Sequence, residues 1–223
     1  MHGNLPALEA VTADARAAGA ESFLLGGDYV VFGARPRETV ARLRELGAVA
    51  IRGNTDRWLE DASDAPEAAL VTRSLAWCGD QLGPGLAHEL ATMAETERLD
   101  RALLCHASPR SDMATFAPDR SAADDELLSD EDPEVIVFGH SHLQFMRTAG
   151  DRLLVNPGSV GIPFDGDRRA AYALWDGGRD FELRRVEYEW AAYADDVRAC
   201  MAEALGDAIE TLVGRIEQAR FVQ

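Results

Sequence analysis

The sequence contains no lysine, only three cysteines and no long hydrophobic run. All 22 basic residues are arginine and are outnumbered by 39 acidic residues, so the formal net charge is −17. Such a chain lacks the basic surface that binding to a nucleic-acid backbone or an anionic membrane requires. No segment approaches the ~20 apolar residues of a membrane span, and the first residues show no signal-peptide pattern. Because the cysteines are odd in number and far apart, we predict reduced thiols and a cytoplasmic location.

The length and the apolar content predict one domain over residues 1–223. Short apolar runs that end in polar turns predict buried strands at 22–25, 48–51, 102–105, 135–138 and 153–155. Helical patterns predict a first helix between Asn4 and Gly19, a second from Pro36 to Gly47, and a mostly helical stretch from Pro66 to about Glu97. This alternation of strands and helices predicts an α/β fold.

The remainder of the chain has three further features. The acidic stretch 114–133 predicts a surface loop with a short helix at 124–128, or equally a lid, and residues 170–175 and 181–188 predict a β-hairpin. Apolar residues at three- and four-residue steps predict an amphipathic C-terminal helix over about 190–218, bent near Gly206. Its apolar stripe favours packing on the chain's own sheet, and a seam in a homodimer remains the alternative.

Four of the five histidines, at positions 2, 106, 140 and 142, lie at strand ends or beside a glycine turn. The turn Gly139-His140-Ser141-His142 places two imidazoles one residue apart, so each can face a different ion of a close pair. Asp28 offers a carboxylate that can bridge two cations, and Asn54 offers a neutral carbonyl oxygen. Nitrogen and oxygen ligands without a thiolate suit Mn²⁺, Fe, Zn²⁺ or Ni²⁺ better than a structural zinc site.

The order of these motifs resembles that of the calcineurin-like metallophosphoesterases, particularly their small prokaryotic phosphodiesterase branch. The blocks that carry the resemblance are His2-Gly3-Asn4, Gly27-Asp28, Gly53-Asn54-Thr55-Asp56, His106, Gly139-His140-Ser141-His142 and Asn156-Pro157-Gly158-Ser159. The resemblance runs from His2 to about Asp167.

The resemblance implies a two-sheet β-sandwich flanked by helices, in four layers, with two divalent metal ions at the strand ends. Manganese is expected, and Fe, Zn, Ni or Mg are alternatives. The implied ligands are His2 and His142 for the first ion, Asn54, His106 and His140 for the second, and Asp28 as the bridge. The implied reaction is hydrolysis of a small phosphoester, in which a hydroxide shared by two ions roughly 3.5–4 Å apart attacks phosphorus.

Further residues beside these blocks are candidates for catalysis or substrate binding. The resemblance places Asn54, Thr55 and Asp56 in the catalytic loop, although Asp56 is equally interpreted as an acid that steadies the loop or the start of a helix. Arg57 and Arg110 flank motif blocks and are candidate phosphate contacts, of which Arg57 is preferred, and solvated surface charges are the alternative.

The sequence departs from the family pattern at two positions. The family has an aspartate two positions before the first histidine, at the end of a buried strand, and here Met1 directly precedes His2. We therefore expect a sheet without its inner N-terminal strand. A mis-assigned start or a truncated chain would explain this, and the alternative is a naturally short chain whose first metal has three protein ligands and water.

The second departure is Thr55, where many family members have a histidine. A hydroxyl cannot act as an acid at neutral pH, and general acid catalysis contributes about 10²–10⁴-fold. We therefore predict activity on phosphodiesters or phosphoanhydrides of small nucleotide-like compounds rather than on alkyl monoesters. A degenerate, non-catalytic binding or regulatory protein is the alternative.

Overall fold

Helices and short strands alternate along residues 1–222, the part of the chain that the computed structural model describes. The helices are α1 Leu5–Ala17, α2 Pro36–Leu46, α3 Asn54–Arg57, α4 Ala69–Leu82, α5 Pro84–Ala91, α6 Asp124–Leu127, α7 Trp190–Leu205 and α8 Ile209–Gln218. The strands are β1 Leu24–Leu25, β2 Val49–Ala50, β3 Thr96–Leu99, β4 Ala102–Cys105, β5 Val135–Val137, β6 Gln144–Ala149, β7 Arg152–Pro157, β8 Ala170–Trp175 and β9 Phe181–Val186. The predicted α/β class is confirmed.

The strands form one large sheet and two separate pairs. The large sheet has the order β3-β4-β5-β7-β6, in which β4, β5 and β7 are parallel and the two edge strands are antiparallel. The pair β1-β2 is parallel, and the pair β8-β9 is antiparallel. Both pairs pack on the same face of the large sheet, because Leu24 and Trp175 share an apolar cluster with Leu104, Val137 and Val155. The second layer of the expected sandwich is thus present in two pieces.

Helices cover the outer side of these two pairs. Val11 and Ala15 of α1 pack against Tyr172 of β8, while Val40 of α2 and Cys78 of α4 pack near β1. The opposite face of the large sheet is covered differently: it packs against the segment 114–133, including Phe116, Leu127 and Leu128. The outer layer on that side is therefore mostly loop with the short helix α6.

A cavity of about 1060 Å³ occupies the gap between β1 and β8 and extends to Asp28, His106 and His142 at the strand ends; we call it the inter-strand slot. Leu24 and Leu25 line one side and Ala171 to Trp175 line the other. Within residues 1–222, α1 is the first regular element and no strand precedes it. The slot thus separates the two pieces of the second layer.

Most predicted elements are found, with two differences. Asn4 caps α1 by accepting the Ala7 N–H at 3.2 Å, and α2 ends at Gly47 in the left-handed conformation. The helical prediction as far as Glu97 is wrong at its end, because Thr96–Leu99 is the edge strand β3. Strand β6 was not predicted from the sequence. Both are edge strands of mixed polarity, so they lack the apolar runs by which the inner strands are recognised.

The C-terminal segment 190–218 forms two helices, α7 and α8, joined by a short 3₁₀ turn at Gly206–Ala208. Its apolar stripe, which includes Tyr193, Val197 and Met201, is buried within the chain against Leu70 and Ile162. The stripe therefore packs on α4 and on the loop that carries Ile162, and the prediction that it packs on the sheet is wrong. No helix within residues 1–222 is long and apolar enough to cross a membrane.

Candidate metal centre

Six side chains from five separate segments meet at one edge of the molecule. His2 precedes α1, Asp28 follows β1, Asn54 begins α3 after β2, His106 follows β4, and His140 and His142 follow β5. Parallel strands bring their carboxyl ends to a common edge, which is where α/β proteins bind their ligands. The structure thus brings together all six residues that the sequence nominated as metal ligands.

Four of these six residues have a left-handed backbone. The φ angles are 54° at His2, 57° at Asp28, 60° at His140 and 59° at His142. Residues other than glycine seldom adopt this conformation, and such residues cluster at functional sites. The tight turns orient the four side chains towards the centre of the cluster.

Two glycines allow the Asp28 loop and the Asn54 loop to approach each other. A Cβ on Gly27, whose φ is +92°, would lie 2.3 Å from the nitrogen of Gly53. A Cβ on Gly53 would lie 2.4 Å from the Asp28 carboxylate and 2.7 Å from the His106 ring. Any larger residue at either position would separate the loops that carry Asp28 and Asn54.

The first cluster contains His2, His142 and Asp28. The Nε2 atoms of the two histidines are 3.0 Å apart, and His2 Nε2 lies 3.6 Å from Asp28 Oδ2. Nδ1 of His2 is 2.8 Å from the Val31 carbonyl oxygen, and Nδ1 of His142 is 2.6 Å from that of Ile162. A carbonyl oxygen only accepts hydrogen bonds, so both Nδ1 atoms carry the proton and both Nε2 atoms are free to bind a metal.

The donor set of this cluster fits a divalent cation. Burial lowers the pKa of His2 to about 4 and holds the pKa of His142 well below its usual range, so both rings are neutral at neutral pH. The two Nε2 lone pairs then face each other across 3.0 Å with no proton between them. A cation beside the Asp28 carboxylate would satisfy both nitrogens.

The second cluster contains His106, His140, Asn54 and the same Asp28. Asn54 Oδ1 lies 2.9 Å from His106 Nε2 and 3.0 Å from His140 Nδ1, and His106 Nε2 lies 3.4 Å from Asp28 Oδ2. Nδ1 of His106 donates to the Gly26 carbonyl oxygen at 2.6 Å. Asp28 therefore belongs to two groups of possible metal ligands, one on each side of its carboxylate.

Asp28 and His106 shift each other's protonation. Burial acts to raise the pKa of Asp28, but the nearby His106 and His2, together with the Thr55 hydroxyl, hold it well below its usual value. Burial acts to lower the pKa of His106, and the charge and hydrogen bond of Asp28 outweigh it, so this pKa is raised. The buried carboxylate is thus kept ionised, as a metal ligand must be.

Thr55 and Asp56 hold Asp28 in place. The Thr55 hydroxyl donates to Asp28 Oδ1 at 2.7 Å, and the Thr55 amide donates to the same oxygen at 3.1 Å. The Asp56 carboxylate is fully buried and accepts the N–H groups of Asp28, Tyr29 and Gly53 at 2.7, 3.0 and 2.9 Å. Both Asp56 oxygens accept backbone N–H groups, and the carboxylate thereby ties the Asp28 loop to Gly53.

The two candidate phosphate contacts differ in their surroundings. The Arg57 guanidinium forms paired hydrogen bonds with Asp64 at 2.8 and 2.9 Å and with Asp112 at 2.8 and 3.2 Å. These two carboxylates raise the pKa of Arg57 above its ordinary value. Arg110 is exposed at the loop that follows β4. Of the two arginines, Arg57 is already occupied by acidic partners.

Sequence analysis did not identify two residues that hold the candidate metal ligands in position. Asn156 is buried, and its Nδ2 donates to the Gly139 carbonyl oxygen at 2.8 Å and to Ser141 Oγ at 3.0 Å. Phe164 stacks on the His142 ring with a centroid distance of 4.6 Å. Asn156 follows an apolar run in the same way as the other site residues, and this signal could have identified it.

Comparison with known sequences places the chain in a family. The profile of the calcineurin-like phosphoesterase superfamily domain matches residues 1–178. The chain belongs to the calcineurin-like phosphoesterase superfamily and is a phosphoesterase.

Individual proteins resemble the chain over most of its length. The chain is 28% identical to the uncharacterized protein MJ0912 of Methanocaldococcus jannaschii, over 94% of each chain. It is 29% identical to phosphodiesterase YfcE of Escherichia coli, over 79% of this chain and 83% of YfcE. A crystal structure of a metallophosphoesterase from Sphaerobacter thermophilus superposes with a TM-score of 0.80 and 27% identity, over 98% of this chain and 95% of that one.

Proposed function

We propose that the chain hydrolyses phosphodiesters or phosphoanhydrides of small nucleotide-like substrates, with two divalent cations as cofactors and manganese as the preferred metal. The observation that carries the proposal is the position of Asp28, whose carboxylate is shared by the His2–His142 cluster and the His106–His140 cluster. A carboxylate between two groups of neutral nitrogen and oxygen donors is suited to bridging two hard or borderline cations. The net charge of −17 supports a small substrate rather than a nucleic-acid polymer.

The cations would be held by His2, His142 and Asp28 on one side, and by Asn54, His106, His140 and Asp28 on the other. When bound, they would supply a water of lowered pKa and positive charge for the phosphoryl oxygens. The chain's own contribution is orientation. Backbone carbonyls fix the rings of His2, His106 and His142, and Thr55 and Asp56 fix Asp28 and its loop.

The surroundings of Thr55 support a preference for substrates with good leaving groups. Thr55 is buried and its hydroxyl proton is committed to Asp28 Oδ1, so it cannot be given to a departing alkoxide. Without an acid at this position, phenolate and phosphate leaving groups depart more readily than the alkoxide of a simple monoester. We infer that the enzyme acts on diesters or anhydrides in preference to alkyl monoesters.

For the phosphate contact we propose Arg110, together with Arg57 after exchange of one of its acidic partners. Arg110 is exposed on the loop that carries His106, and Arg57 is three residues from Asn54. The three free cysteines support the proposed cytoplasmic location.

The test is hydrolysis of bis(p-nitrophenyl) phosphate by metal-stripped protein before and after addition of Mn²⁺. We expect turnover only with metal, its loss in His140→Ala, and its retention in the control His88→Ala, because His88 is exposed and paired with Glu60. Turnover without metal, or full turnover in His140→Ala, would contradict the proposed site. A higher rate on glycerol phosphate than on the aryl diester would contradict the proposed substrate class.

A further inference from the structure

Two aromatic rings border the first cluster of the candidate metal centre. Phe164 stacks on His142, with ring centroids 4.6 Å apart and an angle of 26° between the ring planes. Phe32 lies beside His2, with ring centroids 5.7 Å apart and the planes tilted by 47°. The second cluster is bordered instead by the charged Arg57 of α3, the helix that also supplies its amide oxygen. The metal centre therefore has one aromatic side and one charged side.

Phe221 extends the aromatic side to the surface of the protein. Its ring meets the Phe164 ring at an angle of 86°, with centroids 5.6 Å apart. Aromatic pairs prefer this edge-to-face arrangement, so the contact is an attractive one. We call Phe164 and Phe221 the aromatic shelf. Because Phe164 also stacks on His142, the shelf runs from a candidate metal ligand to the solvent.

The backbone holds the aromatic shelf in place. A left-handed φ of 49° at Ala219 ends α8 and turns the chain back. The Gly166 N–H donates to the Ala219 carbonyl oxygen at 2.8 Å, and the Phe164 N–H donates to the His142 carbonyl oxygen at 3.2 Å. Both rings of the shelf are thus tied to the loop that follows His142. A ligand that stacks on the shelf finds it already ordered, which lowers the entropy lost on binding.

One face of the Phe221 ring is open. The Arg215 guanidinium lies over this ring, 4.3 Å from its centroid, and Arg215 Nε donates to the Val222 carbonyl oxygen at 3.0 Å. Arg215 therefore covers one face of the ring. The Phe221 residue is nevertheless 61% exposed, so the face opposite the guanidinium is in contact with solvent. A flat aromatic ligand can stack on this open face.

The open surface has the size of one ring rather than of a protein interface. Within residues 1–222, the exposed large hydrophobic residues are Val49, Met146 and Phe221. Val49 and Met146 line the inter-strand slot, whereas Phe221 does not. Sites for protein partners are larger, contiguous apolar patches. The position of Phe221 beside the metal centre therefore favours part of a small substrate as the ligand.

We propose that the aromatic shelf is the subsite for the nucleobase of the substrate, which stacks on the open face of Phe221. The proposal rests on the proposed function, since it places the phosphate at the candidate metal centre. A nucleobase is planar and is joined to its phosphate through a sugar, so one molecule can reach both places. Stacking uses the face that every base possesses. The shelf therefore selects for the presence of a base and not for its identity.

The test is calorimetric titration of the Mn²⁺-loaded chain with AMP and with ribose 5-phosphate, which has the same sugar and phosphate and no base. We expect AMP to bind at least about tenfold more tightly. Phe221→Ala should weaken AMP binding at least about fivefold and leave the binding of ribose 5-phosphate unchanged. Phe221→Leu, the matched control, keeps an apolar side chain without a ring and should behave like Phe221→Ala.

Phe221→Trp provides a second readout that does not depend on activity. This variant keeps a stacking face, so it should bind AMP at least as tightly as the wild-type chain. Its fluorescence should also be quenched by AMP more strongly than that of the wild-type chain, and ribose 5-phosphate should not quench it. Equal quenching of the two proteins by AMP would contradict a base on this ring.

Equal affinity of the wild-type chain for AMP and ribose 5-phosphate would overturn the subsite, as would an equal loss of both affinities in Phe221→Ala. Absence of AMP binding at millimolar concentration would also overturn it. These outcomes are separate from the hydrolysis test. Turnover of the aryl diester without base-dependent binding removes the subsite alone. Base-dependent binding without turnover supports the subsite and contradicts the proposed hydrolysis.

Discussion

The hydroxyl of Thr55 and the carboxylate of Asp28 are joined by a buried hydrogen bond of 2.7 Å. The amide of Thr55 donates to the same carboxylate oxygen at 3.1 Å. The residue that follows the Asn54 metal-ligand candidate thus orients the carboxylate shared by both clusters. We propose that Thr55 positions this carboxylate and transfers no proton to a substrate.

Thr55→Val should lower kcat by about tenfold or more, because Asp28 loses a hydrogen bond to a charged group worth about 1.5–3 kcal/mol. Thr55→Ser keeps the hydroxyl and should retain most of the activity. The measurement is kcat on a series of aryl phosphodiesters whose leaving groups differ in pKa. If Thr55 only positions Asp28, kcat should fall by the same factor for every leaving group. A loss that grows as the leaving group becomes poorer would instead identify Thr55 as a proton donor.

Removal of divalent metal should lower the thermal stability of the protein. Mn²⁺ at 100 times its Kd would stabilise the folded state by about 2.7 kcal/mol, which corresponds to a Tm shift of about 5–10 °C for a chain of this length. His142→Ala should lose at least half of the shift, and His88→Ala should retain all of it. Differential scanning calorimetry with and without chelator measures both. A full shift in His142→Ala would exclude that residue as a ligand.

Asn156→Asp should weaken metal binding about 10–100-fold without removing any proposed ligand. The new carboxylate oxygen would face the Gly139 carbonyl oxygen, to which the Asn156 amide now donates at 2.8 Å, and the His140 turn would shift. Asn156→Ala removes the hydrogen bonds without adding a charge and should have the smaller effect. Calorimetric titration with Mn²⁺ separates the two variants. Wild-type affinity in Asn156→Asp would show that the turn holds without this side chain.

The acidic segment 114–133 is tied to the large sheet by a buried ion pair. Asp124 is 2% exposed and accepts two hydrogen bonds from Arg147 of β6, at 2.8 and 2.9 Å. Asp124→Asn should reduce the free energy of unfolding by about 3 kcal/mol, because it leaves the Arg147 charge without its partner. The exposed neighbour provides the control, and Asp125→Asn should change stability by less than about 0.5 kcal/mol. Urea unfolding measures the stability of both variants. Equal urea midpoints for Asp124→Asn and Asp125→Asn would show that the ion pair does not stabilise the protein.

Much of the fold was predictable because the inner elements carry strong local signals. Asn4, Pro36 and Gly47 mark helix ends through their backbone chemistry, and the apolar runs at β4, β5 and β7 mark buried strands. The edge strands β3 and β6 carry no such signal, because one side of each is solvated and their residues are mixed in character. Only pairing with distant β4 and β7 makes them strands.

The sequence was sufficient to predict which residue types form the candidate site. It was not sufficient to predict the groups that orient them. His2, His106 and His142 could be nominated from their motifs. Their orientation depends on the carbonyl oxygens of Val31, Gly26 and Ile162, which every residue type possesses. For Arg57, the position in the sequence suggests phosphate binding. In the fold, its guanidinium instead binds the carboxylates of Asp64 and Asp112. Such partners follow from tertiary contacts and leave no local pattern.

The left-handed turns at His2, Asp28, His140 and His142 lower the stability of the fold in return for side chains that can bind metal. At most positions alanine is tolerated better than glycine, but at these four the preference of the backbone is reversed. Each non-glycine residue in this conformation costs about 1 kcal/mol or more, and a domain has only about 5–15 kcal/mol of net stability. A chain with glycine at all four turns would have the less strained backbone and no imidazole or carboxylate there. The side chains at these four turns therefore provide candidate metal ligands and lower the thermal stability of the protein.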